Sequence, residues 1–154
     1  MGISSSTAVD TARILAQLKA GAPALLAQYP VRLAYVYGSV ARGQATPLSD
    51  VDVGVLFDET LPNSDVFDLA LELTSRLQEI AKTPLAVDVR AMNEMPILML
   101  GAIVSEGACI YARDETDRLA YESAIRADYA VCLPDARREA RKYLFRVLEQ
   151  GFGH

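Results

Sequence analysis

Histidine is almost missing from this chain: of 154 residues one is histidine, His154, at the very end. That argues against a histidine general base and against any Ser-His-Asp or Cys-His arrangement. Cysteine is scarce as well. Cys109 and Cys132 sit in apolar surroundings without metal-ligand spacing, and reduced thiols in a cytoplasmic protein are the plain expectation. No apolar run is long enough to span a bilayer; the longest, Met95 to Val104, is broken by Pro96 and Gly101. The first residues show no basic stretch leading into an apolar core, so no signal peptide is expected. Basic residues are outnumbered, 15 Lys and Arg against 20 Asp and Glu, for a net charge of −5. An acidic chain is a poor non-specific binder of nucleic acid, which argues against a template-using polymerase. Repeats, low-complexity tracts and internal linkers are absent. What remains is 51% apolar and 23% charged, an ordinary globular composition, and 154 residues suit one domain over 1–154.

The stretch that organises the chain is Tyr37-Gly38-Ser39, followed ten residues later by Asp50-Val51-Asp52. Val31 to Tyr37 is apolar and rich in β-branched and aromatic residues, as a buried strand requires. Gly38-Ser39 ends it, and a second strand starts at Asp50. In that strand Val51, Val53, Val55 and Phe57 alternate with Asp50, Asp52 and Gly54. Alternation places both carboxylates on one side, roughly 7 Å apart along the chain, where they can converge on one or two cations. A glycine allows backbone to approach an anion closely, the Ser39 hydroxyl adds a donor, and a short helix starting near Ser39 would add its dipole. Phosphate donors beside a carboxylate-held metal describe a site for a nucleoside triphosphate with Mg²⁺.

Gly38-Ser39-Val40-Ala41-Arg42-Gly43, then Ser49-Asp50-Val51-Asp52, resembles the signature of the polymerase-β-like nucleotidyltransferase superfamily. The length and the Gly-Ser-x-Ala-Arg-Gly wording look most like its minimal nucleotidyltransferases (MNT proteins), many of them antitoxins paired with HEPN ribonuclease toxins. The resemblance is specific over residues 31–90. It implies a third carboxylate on a later strand, and Asp88 in Leu85-Ala86-Val87-Asp88-Val89 is the candidate. It also implies an activity: AMP moved from ATP, with two Mg²⁺ ions, onto a tyrosine of a HEPN toxin. Asp50, Asp52 and Asp88 would be the catalytic and metal-holding residues. Gly38, Ser39 and Arg42 would bind nucleotide, in a chain that can assemble with its toxin. A small-molecule acceptor of the antibiotic type, and a non-catalytic antitoxin that acts by binding, are the alternatives.

The expected fold is α/β, a small mixed sheet with flanking helices, with a core over about 31–111 and C-terminal helices over about 115–150. Residues 1–6 read as a loose start, and Thr7 to Asp10 as a capping box for a helix ending near Ala20, before Gly21. Pro23 opens a short second helix through Gln28. Gln44 to Ser49 is a surface loop. Ser64 caps a helix over about Asp65 to Lys82, Pro84 precedes the third strand, Asn93 to Glu106 is helical, and Gly107 to Tyr111 adds a fourth strand. Pro134 ends or kinks the helix that begins at Glu115, and Gly151 stops the last one.

Other residues carry two readings each. Arg42 either holds phosphate or lies on the surface; Arg90, two residues after Asp88, either serves the nucleotide or forms a plain ion pair. Tyr35 and Tyr37 are core or adenine packing. Arg138, Lys142 and Arg146 form one row of the last helix beside Arg137 and Arg141, either a solvated face or a docking surface for an acidic partner.

Overall fold

A computed structural model describes residues 8–150. The readings of residues 1–6, Thr7, Gly151 and His154 lie outside the described residues. Four strands form one mixed sheet: β1 (Val31–Tyr37), β2 (Val51–Phe57), β3 (Val87–Ala91) and β4 (Ala108–Ala112). The order is β3-β2-β1-β4, with β1 antiparallel to both β2 and β4 and β3 parallel to β2. Four helices cover it: α1 (Thr11–Leu26), α2 (Asn63–Ala81), α3 (Ile97–Glu106) and α4 (Glu115–Gln150).

Alternation decides which face each strand residue serves. Val51, Val53, Val55, Phe57, Val87 and Val89 enter the main core with Leu18, Leu26, Leu73 and Leu77 of α1 and α2. Leu33, Tyr35, Leu56 and Met92 enter a smaller core with Ile103 of α3 on the other face. Asp52 and Asp88 belong by the same alternation to this second face, where the apolar layer thins out toward the sheet's end.

Glu122 of α4 ties that layer together. It is 5% exposed, accepts a 2.6 Å hydrogen bond from the Tyr35 hydroxyl, and pairs with Arg118 at 2.9 Å and Arg126 at 3.4 Å. Glu122→Ala leaves the Tyr35 hydroxyl buried without its acceptor and should lower the unfolding free energy by about 2 kcal/mol, and Tyr35→Phe by about 1 kcal/mol, in urea denaturation; equal small losses would mean the cluster is solvated. Two bidentate pairs close the opposite end of the sheet: Arg113 to Asp58 at 2.8 and 3.1 Å, and Arg32 to Asp117 at 2.8 and 3.0 Å. These hydrogen bonds from arginine hold both carboxyls below their ordinary range. Their contribution is present above the unfolded carboxylate pKa and is lost as pH falls through the lower folded values.

Several expected boundaries move, each for a tertiary reason. α1 runs through Gly21 and Pro23 to Leu26 instead of ending near Ala20. A Cβ at Gly21 would lie 2.6 Å from Ile80 Cγ2, so this glycine seats α1 against α2 rather than breaking the helix. Burial of Ala22, Leu25 and Leu26 keeps the chain helical past Pro23. Gly101 does the same between α3 and α4, because a Cβ there would enter the Tyr129 ring. Helix α2 starts at Asn63 with Pro62 at its N-cap and no side-chain cap, so Ser64 does not cap it. Asp10 does cap α1, accepting from the Arg13 N–H at 3.0 Å. α3 begins at Ile97 rather than Asn93.

The two expected C-terminal helices are one: α4 is continuous over 36 residues with Pro134 inside it. Its first half packs on the sheet through Glu122 and Ile125, while Val131, Tyr143, Leu144, Phe145 and Leu148 stay exposed. In the basic row, Arg138 pairs with Asp135 and Lys142 with Glu139, each one turn away. No helix among the described residues is long and apolar enough to cross a membrane.

Candidate active site

β1 delivers Gly38 and Ser39 at its end, and β2 returns with Asp52 directly opposite Tyr37. The turn between them is tight: Arg42 N–H reaches Gly38 C=O at 3.1 Å, Gly43 N–H reaches Val40 C=O at 3.2 Å, and Gln44 N–H reaches Ser39 C=O at 2.9 Å. These bonds make a rolled turn rather than the expected helix start, so Ser39 has no helix N-terminus beneath it. The following loop is self-bonded. Thr46 N–H donates to Ser49 Oγ at 2.9 Å, Ser49 N–H returns to Thr46 C=O at 2.9 Å, and Leu48 projects with 96% exposure.

Gly38 has φ +76°, and a Cβ there would stand 2.6 Å from Asp52 Oδ2. The left-handed backbone demands glycine here, and any side chain would also have to displace the Asp52 carboxylate. The turn and the carboxylate are one packed unit, which their spacing in sequence only suggests.

Asp52 and Asp88 sit in register on adjacent parallel strands. Asp52 is partly buried; Asp50 lies just before β2 and is exposed. Burial pushes the Asp52 carboxyl above its ordinary value, and the charges of Asp88 and Asp50 push it further, against the pull of Arg90 and Arg42. Arg90 Nε donates to Asp88 Oδ2 at 3.0 Å, the plain ion pair of the two readings. Arg42 is half exposed, with Nη1 3.7 Å from Glu106 Oε2 and Nε 3.4 Å from Gln44 Oε1. Among the described residues no three carboxylate, histidine or cysteine side chains stand close enough together to hold an ion.

The two tyrosines separate. Tyr35 is core, bonded to Glu122. Tyr37 faces the site: its hydroxyl is buried without a hydrogen-bond partner among the described residues. Burial, and then Asp52, raise its pKa. An orphaned hydroxyl beside an excess of negative charge fits a site that gains a hydrated cation. The donor set, all carboxylate oxygens, suits Mg²⁺.

Beyond Asp88 a cavity of about 470 Å³ opens between α2 and β3, lined by Phe67, Ala70, Leu71, Asp88, Arg90 and Ala91 among others. The sequence reading missed this flank. Its one signal was the exposed pair Phe67 and Leu71, four residues apart on α2, outside the buried stripe.

Residues 23–116 match the family model "Polymerase beta, Nucleotidyltransferase". No curated protein matches the chain by sequence. Solved structures show the same fold. One is the tri-AMPylated Shewanella oneidensis HEPN toxin in complex with MNT antitoxin, with 18% identity over 84% of this chain and 98% of that one and a TM-score of 0.60. A second is a mutant of the toxin-antitoxin MntA-HpeT, with 18% identity over 88% and 99% and a TM-score of 0.59. A third is a toxin-antitoxin with AMP-PNP, with 20% identity over 91% and 99% and a TM-score of 0.54. With the model spanning more than half of its length and both motif strands inside the match, this chain belongs to the polymerase β nucleotidyltransferase family.

Proposed function

We propose that this protein is an Mg²⁺-dependent adenylyltransferase that moves AMP from ATP to a tyrosine of a HEPN-type ribonuclease toxin, and so acts as its antitoxin. One observation carries the reading: the Gly38-Ser39 turn is packed against Asp52, with Asp88 in register beside it. Phosphate donors and paired carboxylates then meet at one end of the sheet. The structures sharing this fold, among them a complex of an AMPylated HEPN toxin with MNT antitoxin, support the choice of acceptor.

Asp50, Asp52 and Asp88 would hold the metal, with Arg90 giving up its bond to Asp88. Bound Mg²⁺ neutralises the triphosphate and lowers the pKa of the acceptor hydroxyl. Ser39 and the backbone after Gly38 hold the β and γ phosphates, and Arg42 swings from Glu106 to phosphate oxygens. The acceptor oxygen attacks the α-phosphorus and the bond to the bridging oxygen breaks. Pyrophosphate leaves, and Asp88 takes the hydroxyl proton. Positioning and charge neutralisation supply most of the rate. On a toxin, the added nucleotide places a bulky anion beside a ribonuclease site and repels RNA phosphate. The thiols Cys109 and Cys132 are both free, in keeping with a cytoplasmic setting.

The test is incubation with ATP, Mg²⁺ and a HEPN-type protein, sought first in the neighbouring reading frame, followed by mass spectrometry. The expected product is that partner carrying AMP on tyrosine. A partner that stays unmodified, yet is still neutralised by the Asp50→Asn/Asp52→Asn variant, would establish inhibition by binding alone. Transfer to an aminoglycoside instead would establish a small-molecule acceptor.

A further inference from the structure

β3 is an edge strand, and α2 covers part of that edge in a regular way. Ala86 C=O and Met92 N–H bond to β2. Within a strand the backbone groups of alternate residues point to opposite sides. Val87, Val89 and Ala91 therefore present their N–H groups outward. Gln78 Oε1 accepts the Val87 N–H at 2.8 Å, and Thr74 Oγ1 accepts the Val89 N–H at 3.3 Å. The helix runs antiparallel to the strand. Four helical residues rise about 6 Å, and two strand residues about 6.6 Å, so one cap per helical turn keeps step with every second strand residue. The next position in the series is Ala70, opposite Ala91. Alanine has no acceptor to offer, and no described side chain caps the Ala91 N–H.

The series fails where the cavity opens. Ala70, Phe67 and Leu71 form its apolar wall, and Asp88 and Arg90, both partly exposed on the strand's other face, line it at the sheet edge. The phosphate-binding turn lies across the sheet, at the end of β1, so the cavity and the turn flank the carboxylates from opposite sides. An uncapped strand edge, an apolar pocket and a reactive carboxylate thus follow one another over a few residues.

We infer that this groove takes the acceptor as an extended polypeptide segment, which adds to the edge of β3 at Val89–Ala91 and lays its tyrosine between Phe67, Ala70 and Leu71. The inference rests on the protein-acceptor reading above and says where that acceptor docks. Strand addition draws affinity from main-chain bonds and selectivity from alternate side chains, and the pocket suits one large amphipathic ring. Its hydroxyl end points to Asp88 while its ring meets apolar wall. Phe67 at 65% and Leu71 at 57% exposure are then the groove's contact residues rather than misplaced core.

The experiment uses the full chain with Mg²⁺ and an acetylated heptapeptide in which valine and threonine alternate about a central tyrosine. Binding is read from backbone amide resonances with a non-hydrolysable ATP analogue, and transfer by mass spectrometry with ATP. The Ala91 amide should shift and become protected, and the tyrosine should gain AMP. Ala70→Gln supplies the missing cap in a residue that favours helix. It should raise both the peptide Kd and the peptide KM about tenfold, the weight of one or two backbone hydrogen bonds, with kcat changed little. Leu71→Lys should weaken the same two constants. An Ala91 amide that stays put under saturating peptide, or an Ala70→Gln chain that binds like wild type, overturns the groove. Binding at Ala91 with no AMP on the peptide, while a HEPN-type protein is modified under the same conditions, overturns the groove as the acceptor's site; no AMP on either overturns the transfer reading instead.

Discussion

Asn at both positions 50 and 52 should abolish nucleotide transfer, lowering the rate by about 10³-fold or more, the scale on which a preorganised charge-stabilising group counts. The same double variant should be more stable than wild type without metal. Asp52 titrates above its ordinary value in the folded chain, first because it is buried and then because Asp88 and Asp50 are near. A carboxyl raised in this way contributes most below its unfolded pKa, and the contribution is lost as pH rises through the folded value. At neutral pH the ionised group is a liability, which a neutral asparagine removes. Thermal unfolding with and without Mg²⁺ measures both effects. Wild type should gain melting temperature on adding Mg²⁺, and the variant should start higher and gain nothing. Full transfer activity in the folded variant would sink the metal assignment.

The second large effect belongs to Gly38. Valine there meets two obstacles inside the protein before any nucleotide arrives. A β-branched residue at φ +76° is strained by at least about 1–2 kcal/mol. Its Cβ would also occupy space 2.6 Å from Asp52 Oδ2. Gly38→Val should therefore lower the melting temperature and, by displacing Asp52, cut transfer by about 100-fold or more, as a misplacement of about 1 Å can. Alanine shares the backbone cost and the Cβ contact, so Gly38→Ala should show most of the loss. Combining Gly38→Ala with Asp52→Ala separates the causes: if the contact matters, the two stability changes fall short of additive. Calorimetry with ATP and Mg²⁺ reads the ligand side. A folded Gly38→Val chain with unchanged ATP affinity would make the turn a structural device only.

Gly38 also marks a limit of reading by motif. The sequence suggests that glycine is there for a phosphate, and nothing in its local pattern reveals that Asp52 presses on it. That contact joins residues fourteen positions apart and exists only once β1 and β2 pair. Arg42 and Arg90 follow the same logic. Their positions, Arg42 in the turn after β1 and Arg90 in β3, are evident from sequence, but that Arg42 leans to Glu106 and Arg90 to Asp88 is set by packing.

The sequence by itself determined the sheet's faces and the family. Alternation over Val51 to Phe57 and over Val87 to Ala91 sends valines to the main core and aspartates to the opposite face, because the side-chain period of a strand is two whatever surrounds it. The Gly-Ser turn and the paired aspartates are likewise local features, fixed by backbone chemistry and spacing. Tertiary structure decided what local signals cannot express. Gly21 reads as a helix stop and turns out to be a contact point, as does Gly101 within α3, since the atoms that forbid a Cβ there come from Ile80 and Tyr129. Pro23 reads as the start of a second helix and Pro134 as an end or kink, yet both lie inside α1 and α4, where the rest of each helix outweighs one lost hydrogen bond. The uncapped edge at Ala91 needs α2 laid along β3 before the break after Gln78 and Thr74 exists at all. Propensity and period act between neighbours in sequence, whereas these features arise between residues that only folding brings together.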